Sequence, residues 1–116
     1  MTIRALVPTL LLGAALALPA SALAQFPGVH ICKVIEVATF SNRVHVQCQD
    51  AAAGDIRFFA APTSSSSEAT RLVTLGSAAL AGAGDLVVGF PFFDPNTESF
   101  GCAVENCRRP FSIQLK

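Results

Sequence analysis

The clearest pattern along the chain is a series of short alternating segments with one segment of helical periodicity among them. Residues 33–40 are rich in β-branched side chains, and in the next run Val44, Val46 and Cys48 alternate with polar residues. A period of two predicts strands with one buried face. Because Ser41 and Asn42 tolerate turn conformations, the two runs predict an antiparallel hairpin.

The pattern then predicts a helix between two further pairs of elements. In residues 55–60, Ile56 and Phe58 alternate with Arg57 and Phe59, which predicts a third strand. Within residues 63–82, apolar side chains recur at intervals of three and four, as in an amphipathic helix. The helix signals are a capping box at Ser65 and Glu68 and a C-terminal cap at Gly82. Strands over residues 85–93 and 111–115 follow.

The order strand, strand, strand, helix, strand, strand predicts a mainly β fold with one helix. Among small domains it matches a five-stranded OB-like barrel with its helix between strands three and four. An open antiparallel sheet with one helix across a face fits the same pattern. In either case the functional surface is expected on a sheet face or its loops.

The fourth strand, residues 85–93, is apolar on both faces. One interpretation is a central strand covered on both sides. The other is an apolar edge, which Pro91 favours because proline cannot donate to a ladder. An apolar edge needs a cover, so the second interpretation predicts a homo-oligomer.

The first 24 residues have the pattern of a secretory signal peptide. A basic start at Arg4 precedes an apolar run, and a small-residue triplet ends at Ala24. Proline interruptions leave the run too short for a membrane span. We therefore expect cleavage after Ala24, a secreted or periplasmic product without a membrane span, and one small domain over residues 25–116.

The cysteines at positions 32, 48, 102 and 107 predict two disulfides in an exported chain of this size. Three connectivities are possible. Cys102 and Cys107 enclose four residues, and by elimination Cys32 pairs with Cys48. A two-residue turn places Cys48 opposite Ile35, so the second bridge requires a bulge or a longer turn.

The same hairpin offers a metal-ligand set as an alternative. His30, Cys32, His45 and Cys48 are residue types that zinc accepts. However, side chains three apart in a strand point to opposite faces. The disulfide interpretation is preferred, with no metal and no cofactor.

The balance of charged residues and the catalytic motifs sought in the sequence narrow the set of expected functions. Arg4 is one of eight basic residues, which leaves seven against eight acidic ones after cleavage. This balance gives no reason to expect a nucleic-acid partner. No carboxylate pair, nucleophile elbow or oxyanion segment indicates an enzyme. The candidate ligand or partner contacts are Arg108, Arg109 and Phe93, and the alternative for the arginines is ordinary surface exposure.

Residues 33–37 with Phe40, the helix ending at Gly82, and the late Cys102 and Cys107 pair occur in a familiar order. In this order the chain resembles the B subunits of AB5 toxins of the subtilase-cytotoxin and typhoid-toxin kind. The resemblance implies a secreted OB-fold oligomer with a carbohydrate ligand. The sugar pocket of those subunits uses a serine where this chain has Cys32, so no binding residue is carried over.

Two functions are therefore expected. The first is an exported, disulfide-containing, non-enzymatic binding module, with glycans as the ligand class that the resemblance implies. The alternative is a secreted structural or protein-interaction domain that oligomerises through its apolar fourth strand.

Overall fold

The computed structural model describes residues 27–116, so the predicted signal peptide 1–24 and its cleavage site lie outside the described residues. The described part is mainly β with one α-helix, as predicted. Its elements in chain order are β1 (Pro27–Cys32), β2 (Val34–Thr39), β3 (Arg43–Ala52), β4 (Ile56–Pro62), α1 (Ser66–Leu80), β5 (Leu86–Pro91), a 3₁₀ helix (Pro95–Phe100), β6 (Cys107–Arg108) and β7 (Ser112–Leu115). Within this part, no helix is long and apolar enough to cross a membrane.

The strands form two sheets. One has the order β1-β5-β7 and is antiparallel throughout. The other has the order β2-β3-β4-β6, in which β6 runs parallel to β4 over two residue pairs. Only Lys33 separates β1 from β2, so the chain passes from one sheet to the other at a single bend.

The predicted hairpin and the predicted bulge are both confirmed. The turn at Ser41 and Asn42 is closed by a 2.7 Å hydrogen bond from the Phe40 N–H to the Arg43 carbonyl. The register shifts between Val34 and Glu36, so that Cys48 lies opposite Val34. This shift brings Cys48 to Cys32, and the disulfide between them forms.

The fourth predicted strand is β5, and the prediction that it forms an apolar edge is wrong. Its edges are hydrogen-bonded to β1 on one side and to β7 on the other. Its apolar sequence fits the central position instead. Leu86, Val88 and Phe90 point into the core, while Val87 lies half-buried on the opposite face.

The predicted face of Phe58 is also wrong. Ile56 and Phe59 are fully buried in the main core, whereas Phe58 is half-buried on the outer side of the sheet. The reason is an irregularity in the pairing of β3 with β4 between Gln47 and Ala52, which changes the alternation along β4.

The helix begins and ends close to the predicted signals. Ser65 is the N-cap residue, but its hydroxyl donates to the Glu68 carboxylate at 3.1 Å rather than completing a capping box with the backbone. Gly82 has a φ of +97° and its N–H donates to the Ala79 carbonyl, as in a left-handed cap. A Cβ at Gly76 would lie 2.6 Å from Val46, so the helix approaches β3 closely at this glycine.

The core lies between the two sheets and the helix. Its largest fully buried side chains include Phe59, Phe90, Ile56 and Leu72. The sulfurs of Cys32 and Cys48 belong to the same cluster, at the place where β1 meets β2. Cys102 and Cys107 form the second disulfide in a separate small cluster, so the predicted connectivity is confirmed.

Replacing Cys32 and Cys48 by alanine is expected to lower the free energy of unfolding more than replacing Cys102 and Cys107. Chain entropy alone gives about 3 kcal/mol for the longer closed loop and about 2 kcal/mol for the shorter one. The first pair also loses sulfur atoms from the main core, which adds a packing cost. Urea unfolding of the two double variants measures the difference, and the reverse order would contradict this assignment.

Candidate functional site

The face of the β2-β3-β4 sheet that points away from the core carries a row of aromatic rings. Ring centroids are 5.2 Å apart for Phe40 and His45 and 5.0 Å apart for His45 and Phe58. The Arg43 guanidinium lies 4.2 Å from the centre of the Phe40 ring, in cation–π contact. The His45 Nε2–H donates to the Glu36 carboxylate at 2.8 Å. We call these five residues the aromatic face.

The pairing of the strands explains why these side chains meet. Directly opposite His45 lie Ala38 on β2 and Ala60 on β4. Alanine leaves space beside the imidazole, so longer side chains at diagonal positions reach it from both sides. Alternation along β3 then turns Val44 and Val46 into the core while Arg43 and His45 point outward.

The members of the aromatic face differ in exposure. The side chain of His45 is only 11% exposed, and its hydrogen bond to the Glu36 carboxylate holds the imidazole in place. Phe40 is 45% exposed at the hairpin end. The most exposed members of the aromatic face are therefore Phe40 and Glu36, while Arg43 is half-buried.

One side of the aromatic face is bordered by the segment between β5 and β6. Phe100, Cys102 and Cys107 from this segment pack on Ala60 and on half-buried Phe58. The buried Thr97 hydroxyl donates to the Cys102 carbonyl at 2.8 Å, which holds the 3₁₀ helix against the disulfide. Between this segment and β3 lies a pocket of about 140 Å³, lined by Arg43, His45, Phe58, Gly101, Ala103, Asn106 and Cys107.

Hydrogen bonds from the buried side chain of Arg108 hold the same segment in place. Its guanidinium donates to the Phe92 carbonyl through Nε and Nη2, at 2.9 and 2.7 Å, and to the carbonyls of Val104 and Cys107 through Nη1. The residue is 6% exposed, and burial lowers the pKa of this guanidinium. Its donors are directed at the backbone of the chain itself, and a ligand contact from Arg108 stays a prediction.

Arg109, the residue after β6, reaches the helix. It forms a two-pronged pair with the Glu68 carboxylate, with nitrogen–oxygen distances of 2.9 and 2.7 Å. Hydrogen bonding from Arg109 holds the pKa of Glu68 below its usual range, against a smaller opposing effect of burial, and the same bond raises the pKa of Arg109. The pair lines a cleft of about 550 Å³ between α1 and the chain that leads into β7.

The other sequence-predicted residues do not gather at one place. Phe93 is exposed just beyond β5 and does not line the pocket beside the aromatic face. The alternative metal ligands are separated, since Cys32 and Cys48 bond to each other and His30 donates to the Asp50 carbonyl. Within residues 27–116, no group of three or more histidine, cysteine or acidic side chains could hold a metal ion.

Sequence reasoning missed the aromatic face. Alternation along β3 predicts an outward-facing His45, and Phe40 adjoins the predicted turn. The missing member was Phe58, because its outward direction depends on the irregular pairing of β3 with β4. The available signal was the small size of Ala38 and Ala60, which lie opposite the outward-facing histidine on the two neighbouring strands.

Comparisons with protein-family models, with curated proteins and with solved structures gave no match to the chain. The functional argument therefore depends on the geometry of the chain itself.

Changing Glu68 to glutamine is expected to destabilise the protein at pH 7 and to have a smaller effect at pH 3. The carboxylate has a lowered pKa when folded, so its stabilisation is present above the ordinary value of 4.5 and is lost as the pH falls through the folded value. Since the pair is more than one third exposed, the loss at pH 7 is expected to be below about 1 kcal/mol. Urea unfolding at both pH values measures this, with Glu105→Gln as the exposed control. Equal losses at both pH values would contradict the ionic origin.

Proposed function

We propose that the chain is an exported, disulfide-bonded binding module of the OB type, and that its aromatic face binds the end of a carbohydrate chain. The observation that carries this proposal is the row of Phe40, His45 and Phe58, with Arg43 over the first ring, beside a pocket whose wall is fastened by a disulfide.

The strand pairings support an OB-type arrangement. If β1 and β2 are taken as one bent strand, and β6 and β7 as another, the pairings run through five strands and return to the first. The helix then lies between strands three and four, as in that fold. OB folds bind oligosaccharides and oligonucleotides on the face of strands two and three and on the neighbouring loops, which corresponds here to the aromatic face.

The disulfides support export. Both bridges form, and such bridges persist in oxidising compartments such as the periplasm or the exterior of the cell. This agrees with the signal peptide predicted over residues 1–24, which lies outside the described residues.

The chemistry of the aromatic face supports a sugar as the ligand. A pyranose ring has an apolar face of C–H groups and a rim of hydroxyls. The exposed Phe40 ring fits the first, and Arg43, Glu36 and Asn106 provide donors and acceptors for the second. Pockets that enclose small molecules usually measure about 300–1,000 Å³, so the smaller volume here suits one ring at the end of a chain.

Two further points favour binding to a glycan over catalysis. The seven residues that line the pocket include no hydroxyl and no free thiol to serve as a nucleophile. The AB5 B subunits, which the chain resembles in strand order and in its late cysteine pair, bind cell-surface glycans.

Oxidised protein applied to a glycan array is expected to give signals for a limited set of sugars. For the strongest of them, Phe40→Ala is expected to weaken binding about tenfold, because the variant loses both the stacking surface and the partner of the Arg43 guanidinium. Isothermal titration measures the dissociation constant.

The matched control is Phe111→Ala, which removes an exposed phenylalanine just before β7 of the other sheet. Uniform background signals from folded protein on the array would reject the glycan. An equal loss for Phe40→Ala and Phe111→Ala would reject the aromatic face as the site.

A second candidate function, self-association, is favoured by the outward surface of the β1-β5-β7 sheet. Val29, Ile31 and Phe111 are 74%, 66% and 61% exposed there, beside half-buried Val87. Across the three strands of this sheet, Val29 lies opposite Gly89, which lies opposite Ser112. In the same way, Ile31 lies opposite Val87, which lies opposite Gln114. None is charged, so two copies of this surface can approach each other without like-charge repulsion.

This candidate predicts an oligomer that Val29→Thr with Ile31→Thr converts to a monomer. Threonine keeps the β-branch that suits a strand and removes apolar surface. Size-exclusion chromatography with light scattering measures the mass, and Leu80→Gln serves as a control at an exposed apolar position on the helix. A monomeric unmodified protein at millimolar concentration would reject self-association.

A further inference from the structure

The cleft beside α1 is a second concave surface, separate from the aromatic face. The cleft opens beside the end of β4, because β6 pairs with β4 only at Phe58 and Phe59. Its walls are the first half of the helix and residues 109–113, and its volume of about 550 Å³ lies within the usual range for small-molecule pockets.

Of the two arginines that line this cleft, one forms an ion pair within the described residues and the other does not. Glu68 and Arg109 satisfy each other through two hydrogen bonds. Arg71, one helical turn beyond Glu68, also lines the cleft and forms no ion pair with any of residues 27–116. Its guanidinium is therefore a free fork of donors of the kind that binds a carboxylate with two parallel hydrogen bonds.

The other lining residues restrict the ligand. The carboxylates of Glu68 and Asp94 lie along the same cleft, so a dianion such as phosphate meets repulsion there and a single negative charge meets less. Pro91, Phe111 and Ile113 add apolar surface to the lining. A ligand that uses both features carries one carboxylate and an apolar or aromatic body.

We propose that this cleft is a binding site for a small organic monocarboxylate, with Arg71 holding the carboxylate and Pro91, Phe111 and Ile113 contacting the apolar body. The Glu68–Arg109 pair forms a preorganised wall beside the bound acid. The proposal is independent of the glycan site, because the two sites share no lining residue.

The test is an NMR titration of the ¹⁵N-labelled, oxidised protein with 3-phenylpropionate as the probe. Saturable shifts are expected in the amides of Arg71, Leu72 and residues 109–113. Arg71→Gln is expected to raise the dissociation constant at least about tenfold, since a hydrogen-bonded ionic contact is lost. Glutamine has nearly the helix propensity of arginine, so the fold is retained and the spectrum away from the cleft verifies it.

Arg57→Gln is the matched control, because Arg57 is an exposed arginine beside Asp55 that does not line the cleft. The neutral 3-phenylpropanamide is expected to bind at least about tenfold more weakly than the acid, and inorganic phosphate more weakly still. The absence of saturable shifts with the acid would overturn the proposal. Equal binding of acid and amide, tighter binding of phosphate, or unchanged binding by Arg71→Gln would also overturn it. Phe40→Ala is expected to leave this titration unchanged, which separates its outcome from that of the glycan site.

Discussion

The rest of the structure depends on the junction between the two sheets, which the disulfide between Cys32 and Cys48 fixes. The chain leaves one sheet at Cys32 and enters the other at Val34, and Cys48 lies on the central strand pair of that second sheet. Both sulfurs are buried, so the bond also fills the core where the sheets converge. A small domain has little apolar area to fix such a junction, and a covalent link there restricts the relative position of the sheets.

Arg108, the last residue of β6, and Arg109, which follows it, have different hydrogen-bond partners. The Arg108 guanidinium donates to backbone carbonyls of the segment between β5 and β6, whereas the Arg109 guanidinium pairs with Glu68 on the helix. The first arginine is buried and stiffens the segment between β5 and β6. The second remains at the surface as an ion pair. The two arginines thus have different roles because Arg108 is buried against backbone carbonyls and Arg109 reaches a carboxylate at the surface.

Local signals in the sequence were sufficient for features that depend on nearby residues. The turn at Ser41 and Asn42, the helix limits at Ser65 and Gly82, and the bulge that the disulfide of Cys48 requires all involve contacts within one hairpin or one helix end. Features set by distant partners were missed. The strand β1 contains Pro27 and Gly28 and is formed through its pairing with β5, about 60 residues later. The short β6 exists only through β4, and the burial of Arg108 depends on the carbonyl of Phe92.

The break between β6 and β7 explains how so small a chain presents two separate concave surfaces. Pro110 has no N–H to donate, so the ladder that begins at Cys107 and Arg108 cannot continue through it. Beyond the break the chain pairs with β5 instead of β4, which leaves Ala61 lining an open cleft. Before the break, β6 holds the disulfide-bonded segment against Phe58. One interruption in a strand therefore separates the aromatic face from the arginine-lined cleft, and the pockets on its two sides share no lining residue.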